Sequence, residues 1–148
     1  MADLKEISQR ATAAYNAHDA KALADLDDSN AVNTAPGPSG RVELRGREAS
    51  QEYNQNWFNA FPDARISIIT EVIAGDYLVQ EGIFEGTNTG TWKAGAGDMP
   101  ATGKTLKGQY CVVSKVKDGL FVSGNLYFDQ LDVMTQMGVA PVPAEARA

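Results

Sequence analysis

Residues 105–116 read TLKGQYCVVSKV, residues 120–128 read LFVSGNLYF, and Lys117-Asp118-Gly119 stands between them. Both runs are rich in β-branched and aromatic side chains. Asp-Gly is a strong two-residue hairpin signal, because the tight turn that suits twisted strands needs positive φ at both central positions. An antiparallel hairpin is therefore expected. Upstream, residues 66–73 (ISIITEVI) and 77–85 (YLVQEGIFE) repeat the pattern around Gly75-Asp76. The first part of the chain has a different period. Leu4, Ile7, Ala11, Ala14 and Tyr15 recur three and four residues apart and predict a helix within residues 1–17. Asp19 is placed to cap a second helix over 19–27 carrying Ala22, Leu23 and Leu26. A third helix is expected over 46–60, with Tyr53, Trp57 and Ala60 on its apolar side and Phe61-Pro62-Asp63 as its stop. Residues 31–35 read as a short strand before the loop Pro36-Gly37-Pro38-Ser39-Gly40. Helices followed by an antiparallel meander, mainly sheet over 64–129, define an α+β fold in which helices cover one face of a curved sheet and enclose a pocket. A helical turn over 130–138, closed by Gly138, completes the chain's pattern.

A chain of 148 residues is the size of one domain, expected to span 1–148. Its 13 basic against 19 acidic side chains give a charge of −6, which disfavours nucleic acid and anionic membranes as partners. No apolar run approaches membrane-spanning length, and residues 1–16 lack the layout of a secretory signal. The single cysteine, Cys111, lies in an apolar run, so no internal disulfide is possible, which suits a cytoplasmic location. His18, the only histidine, falls in a helix–helix turn without companions for a metal site, so no metal is expected. The segment Gly97 to Gly103-Lys104-Thr105 imitates a phosphate-binding loop. It has one residue too many between its glycines and runs into a strand where that motif requires a helix.

Residues 125–139 (NLYFDQLDVMTQMGV) hold the first candidate for chemistry. Asp129 lies among Leu126, Phe128 and Leu131, where a carboxylate can acquire a raised pKa and serve as acid or base. The same residue is equally suited to N-cap the following helix. Strand alternation puts Asn125, Tyr127 and Asp129 on one face and Leu126 and Phe128 on the other. Both faces carry large apolar groups, so counting alone does not decide which lines the pocket. Gln109, a polar residue among apolar strand neighbours, is a candidate partner for a ligand, for Asp129 or for the fold. Tyr15, Asn33 and Asn125 are further candidate donors, and Asn33 either lines the pocket or ends its strand. Trp57, Phe61 and Trp92 are candidate walls. Trp92 and Met99 belong to the Gly-rich connection 87–104, which reads either as a binding loop or as a surface hairpin.

Several segments together resemble the SnoaL-like polyketide cyclases, or ester cyclases, of the nuclear-transport-factor-2-like superfamily. They are Tyr15-Asn16-Ala17-His18-Asp19, Leu44-Arg45-Gly46-Arg47-Glu48-Ala49, Phe61-Pro62-Asp63, Gly86-Thr87-Asn88-Thr89-Gly90, Ala101-Thr102-Gly103-Lys104, and Tyr127-Phe128-Asp129-Gln130-Leu131 with Gln136-Met137-Gly138. The resemblance implies a cystatin-like α+β half-barrel, a homodimer formed through the sheet, and a deep apolar pocket. It implies chemistry without metal or cofactor, an intramolecular aldol closure on an apolar, carbonyl-bearing small molecule. It further implies Asp129 as the acid–base residue. A His assists that acid in the family, and Gln109 stands in its place here; Asn88 likewise stands where relatives often carry His. With Tyr127, Asn88 joins Tyr15, Asn33, Trp57, Phe61, Trp92 and Asn125 as expected substrate contacts. Two other readings remain open: a non-catalytic binder of a hydrophobic ligand, and an isomerase, dehydratase or hydrolase on the same fold. Epoxide hydrolysis would need an Asp-Arg-Asp cluster, for which Arg65 is the only sheet-associated arginine.

Overall fold

A computed structural model describes residues 3–37, 40–94 and 97–139. Pro38 and Ser39 of the first loop, Gly95 and Ala96 of the Gly-rich connection, and the two ends of the chain lie outside the described residues. Helix α1 (Leu4–Asn16) is capped by Asp3, whose side chain accepts from the Lys5 amide, and α2 (Ala20–Ala24) is capped by Asp19 as expected. His18 takes positive φ in the turn between them. Helix α2 is shorter than the predicted 19–27, because the chain turns at Asp25-Leu26 to enter the sheet at Asp27, with the Phe121 amide donating to the Leu26 carbonyl. Strand β1 (Asp27–Gly37) pairs with β2 (Gly40–Arg45), and α3 (Gly46–Ala60) follows. Then come β3 (Arg65–Ala74), β4 (Tyr77–Thr87), the short β5 (Trp92–Ala94) and β6 (Gly97–Met99), β7 (Thr105–Lys117), β8 (Leu120–Phe128) and α4 (Gln130–Gln136).

The main sheet has six strands in the order β2-β1-β8-β7-β4-β3; it curves around the helices without closing into a barrel. Asp118 and Gly119 both take positive φ between β7 and β8, which is the turn chemistry read from the sequence. The predicted antiparallel meander is corrected at one junction: β1 runs parallel to β8, in the register Val32↔Ser123, Asn33↔Gly124 and Thr34↔Asn125. That pairing covers the edge β8 would otherwise leave open. Strand β1 is also longer than the predicted 31–35. Its polar start, Asp27-Asp28-Ser29-Asn30, hides it from a pattern search. Asp27 pairs with Phe121 and Val32 with Ser123, so five steps on β1 match two on β8, and a bulge absorbs the difference. In β2, half-buried Val42 and Leu44 alternate with exposed Arg41, Glu43 and Arg45.

Two apolar clusters hold the layers together. One joins Ala20, Phe58, Ala60, Phe61, Ala64, Leu106 and Met137, with Tyr15, Leu23, Trp57, Phe84, Trp92 and Val133 packed against it. The other joins Ile7, Leu26 and Val116, with Leu4, Ala11 and Phe121 around them. Both clusters contribute walls to the cavity described next, since Tyr15, Leu23 and Trp57 of the first and Ala11 and Phe121 of the second line it. His18 serves the first cluster: its ring stacks on Phe58 and its Nε2 lies 2.7 Å from the Ala64 carbonyl.

Candidate functional site

The inner face of the sheet is built in layers, because alternate side chains on paired strands point the same way. Asn33, Gly124, Ser114 and Leu78 form one layer, and Leu126, Val112 and Gln80 the next. Phe128, Tyr110 and Gly82 form a third, followed by Gly108 with Phe84. Leu126 and Phe128 therefore face inward, which settles the choice of face left open by alternation. With α1, α2 and α3 above them, these layers enclose a cavity of about 250 Å³.

One end of the cavity is polar. Asp27, only 6% exposed, accepts a 3.0 Å hydrogen bond from Asn33 Nδ2. Burial pushes the Asp27 carboxyl above its usual range, and hydrogen bonds from Ser50 and Asn33 and the charge of Arg47 pull it back only in part. Asn33 holds its own place over Gly124, where a Cβ would sit 3.0 Å from Asn33 Oδ1. Gln80 donates from Nε2 to Ser8 Oγ at 2.5 Å, and Ser8 in turn donates to Glu71. Three phenols complete the lining. Burial pushes Tyr53 and Tyr110 up to about 12, and Tyr15 is shifted further in the same direction by burial and by its neighbours Tyr53 and Tyr110. Tyr53 donates to the Pro36 carbonyl at 3.2 Å. The Tyr110 ring lies across Gly82, where a Cβ would come within 2.5 Å of the phenol oxygen.

The other end is aromatic. Trp57 packs at 5.3 Å from Phe84, 5.5 Å from Phe61, 5.7 Å from Phe128 and 4.5 Å from Trp92. Beyond it lies a second, smaller chamber of about 120 Å³, walled by the β5–β6 hairpin and α4.

The residues singled out from the sequence divide between these places. Tyr15, Asn33 and Trp57 meet in the main cavity, while Trp57, Phe61, Asn88 and Trp92 line the smaller chamber. Asn88 is a bracket for its loop. Its Nδ2 donates to the carbonyls of Ala60 and Gly90, and its Oδ1 accepts from the amide and hydroxyl of Thr102. Asn125 and Tyr127 point away from the cavity. Asn125 accepts from Thr34 Oγ1, and Tyr127, 48% exposed, is covered by the Arg41 guanidinium at 4.4 Å. Asp129 N-caps α4, accepting from the Asp132 amide at 3.0 Å. Together with Gln109 and Asp132 it borders a separate pocket of about 380 Å³ beside Gly108 and Val133. Gln109 also borders the main cavity, whereas Asp129 does not.

Asp27, Tyr110 and Gln80 are polar lining residues that the sequence reading did not single out. Two glycines carried the available signal: Gly82 and Gly124 interrupt long strand runs, and a mid-strand glycine often marks the close approach of another group. Among the described residues no cluster of His, Cys, Asp and Glu is arranged to hold a metal ion, and no helix is long and apolar enough to cross a membrane.

A curved α+β half-barrel with helices packed over a lined cavity is the nuclear-transport-factor-2-like, or ketosteroid-isomerase-like, fold. The family model of the SnoaL-like polyketide cyclases matches residues 5–137, and the chain belongs to that family. Solved structures agree on the fold. A candidate SnoaL-like polyketide cyclase from Jannaschia sp. CCS1 is 17% identical, with a TM-score of 0.78 over 93% of this chain and 92% of that one. IdmH, a candidate polyketide cyclase from Streptomyces antibioticus, is 24% identical, with a TM-score of 0.73 over 91% and 98%. A hypothetical protein of ketosteroid-isomerase-like fold from Catenulispora acidiphila DSM 44928, solved with trimethylamine, is 18% identical, with a TM-score of 0.73 over 93% and 98%. No curated protein sequence matches this one.

Proposed function

We propose that the protein is a cyclase-like enzyme that performs acid–base chemistry on an apolar, carbonyl-bearing small molecule, with Asp27 as the proton-transfer residue. One observation carries the assignment: among the described residues Asp27 is the single carboxylate lining the cavity. Burial makes it a stronger base than an ordinary Asp while the Asn33 amide and Ser50 hydroxyl orient it. Tyr15 and Tyr110 have no hydrogen-bond partner among the described residues and line the same cavity, so their hydroxyls are free to donate to an enolate oxygen as charge develops. Trp57, Phe84 and Phe128 supply the apolar surface against which a flexible substrate folds, bringing its carbanion to its own carbonyl in an intramolecular aldol step. Asp129, the acid favoured by family resemblance, is the alternative carboxylate, and its position at the cap of α4 distinguishes the two by experiment. Exchange of the α-protons of acetophenone for deuterium, followed by NMR, tests the assignment. Asp27→Asn is expected to abolish the acceleration and Asp129→Asn to keep it. Acetophenone that binds with no acceleration in wild type would favour a non-catalytic binding protein.

We also propose that two copies associate through the outer face of the sheet. Val72, Tyr77 and Tyr127 are 47–49% exposed on that face, with half-buried Val79 and Val113 in the layer of Val72. Exposed apolar side chains gathered on one face, here with Glu81 and Lys115 among them, mark a candidate protein interface.

A further inference from the structure

The smaller chamber shares three wall residues with the main cavity, Trp57, Phe128 and Val133. These side chains border both spaces, and the neck between them is where a ligand spanning the two would pass. We propose that one ligand occupies both chambers, its carbonyl at the Asp27 end and an apolar extension passing the neck into the smaller chamber. The inference rests on the main cavity being the ligand site.

Size supports a shared occupant. The main cavity, at about 250 Å³, falls short of the roughly 300–1,000 Å³ typical of sites for drug-sized ligands, whereas 250 + 120 gives about 370 Å³, inside that range. Length supports it too. The layer of Asn33 and Gly124 lies four residues along β8 from Phe128, roughly 13 Å at the rise of an extended strand. A molecule whose carbonyl meets Asp27 and whose body continues past that length arrives at the neck.

The chemistry of the smaller chamber decides what enters it. The Asn88 amide already binds Ala60, Gly90 and Thr102, and the Thr102 hydroxyl is turned to Asn88. Gln130 reaches back toward the Gly37 carbonyl. The polar walls are thus engaged with the protein, and what remains is apolar: Trp92, Met99, Met134 and Met137. Methionine side chains adapt to irregular shapes, so the chamber suits a hydrocarbon or alkyl-aryl extension rather than a second polar group. The substrate class assigned is a ketone with a long apolar tail, which should bind more tightly than the compact single-ring ketone that reaches only the main cavity.

A series of 4-n-alkylacetophenones, from methyl to octyl, tests this by calorimetric titration. Wild type is expected to bind each longer member about fourfold more tightly per methylene until the smaller chamber is full. Met134→Trp fills that chamber. It should cancel the gain for long members and leave the methyl compound at its wild-type affinity. Met99→Trp, on the hairpin wall, should do the same and guards against a folding defect in α4. Affinity that does not change with chain length in wild type, or a series unaltered by both substitutions, overturns the two-chamber proposal while the main-cavity reading stands. Leu126→Trp fills the main cavity and should abolish binding of every member. Unimpaired binding in that variant overturns the main-cavity reading, and the proposal with it.

Discussion

Gly82→Ala addresses how the cavity wall is assembled, and its cost follows from three contacts. An added Cβ would stand 2.5 Å from the Tyr110 phenol oxygen, 2.6 Å from its Cζ and 2.6 Å from the Ser67 carbonyl oxygen. Ordinary contact begins near 3.4 Å, so each falls short by almost an ångström. The Tyr110 ring can pivot, but Ser67 belongs to the backbone of the paired strand β3 and cannot move without shifting the sheet. Overpacking of this kind costs about 1–3 kcal/mol, and the backbone contact puts Gly82→Ala in the upper half. The lower chain entropy of the unfolded Ala variant offsets about 0.4–1 kcal/mol of that. The expected net loss is about 1–2.6 kcal/mol, or about 5 °C in Tm. Urea denaturation should show a lower midpoint at unchanged slope. In a Tyr110→Leu background the phenol contribution disappears and the Ser67 contribution remains, so the double-mutant cycle should give a coupling of at least about 0.5 kcal/mol. A Gly82→Ala protein as stable as wild type would refute the placement of Tyr110 against β4.

Other perturbations have equally definite outcomes. Burial raises the Asp27 pKa in the folded state, so its contribution to stability is full below the unfolded carboxylate range and is lost as pH rises through the folded value. Asp27→Asn carries no such titration, so denaturation midpoints measured from acid to neutral pH should show the variant gaining on wild type as pH increases; parallel curves would contradict a buried carboxylate. Asn88→Ala leaves the Gly90 carbonyl and the Thr102 amide without their Asn88 partner, at about 1–3 kcal/mol for each group left unpaired, while the Ala60 carbonyl keeps the Gly90 amide. Hydrogen exchange at residues 101–104 should accelerate ahead of the rest of the chain, and unchanged exchange would deny Asn88 its bracketing role. Val72→Lys places a charge on the outer face of the sheet and should shift sedimentation from dimer toward monomer, whereas a monomeric wild type would overturn the proposed dimer.

The elements whose period is strong were legible in the sequence. The hairpins at Gly75-Asp76 and Asp118-Gly119 and the helices led by Leu4 and Trp57 follow from spacing alone. Strand β1 was only partly legible because its first four residues are polar and its pairing with β8 is parallel, a long-range relation that no local pattern encodes. The site divided along the same line. Tyr15, Asn33 and Trp57 were found because helix and strand position aims them inward. Asp27 was passed over because, in the run Asp25-Leu26-Asp27-Asp28, nothing local distinguishes a buried acid from solvated ones. Its hydrogen-bond partners are Asn33, six residues on in the same strand, and Ser50 of α3. Asp129 drew attention through its apolar neighbours, yet those side chains alternate around it while its own carboxylate turns back to the Asp132 amide.

The central claim is that the chemistry belongs to the acid inside the cavity. The direct measurement is the rate of α-proton exchange of acetophenone in D2O, compared across wild type, Asp27→Asn and Asp129→Asn, each shown to be folded. General acid–base catalysis is worth about 10²–10⁴ in rate. The account predicts that Asp27→Asn loses at least about 100-fold, on the low side of that range, while Asp129→Asn stays near wild type. Full exchange activity in Asp27→Asn, with its loss in Asp129→Asn, would contradict it.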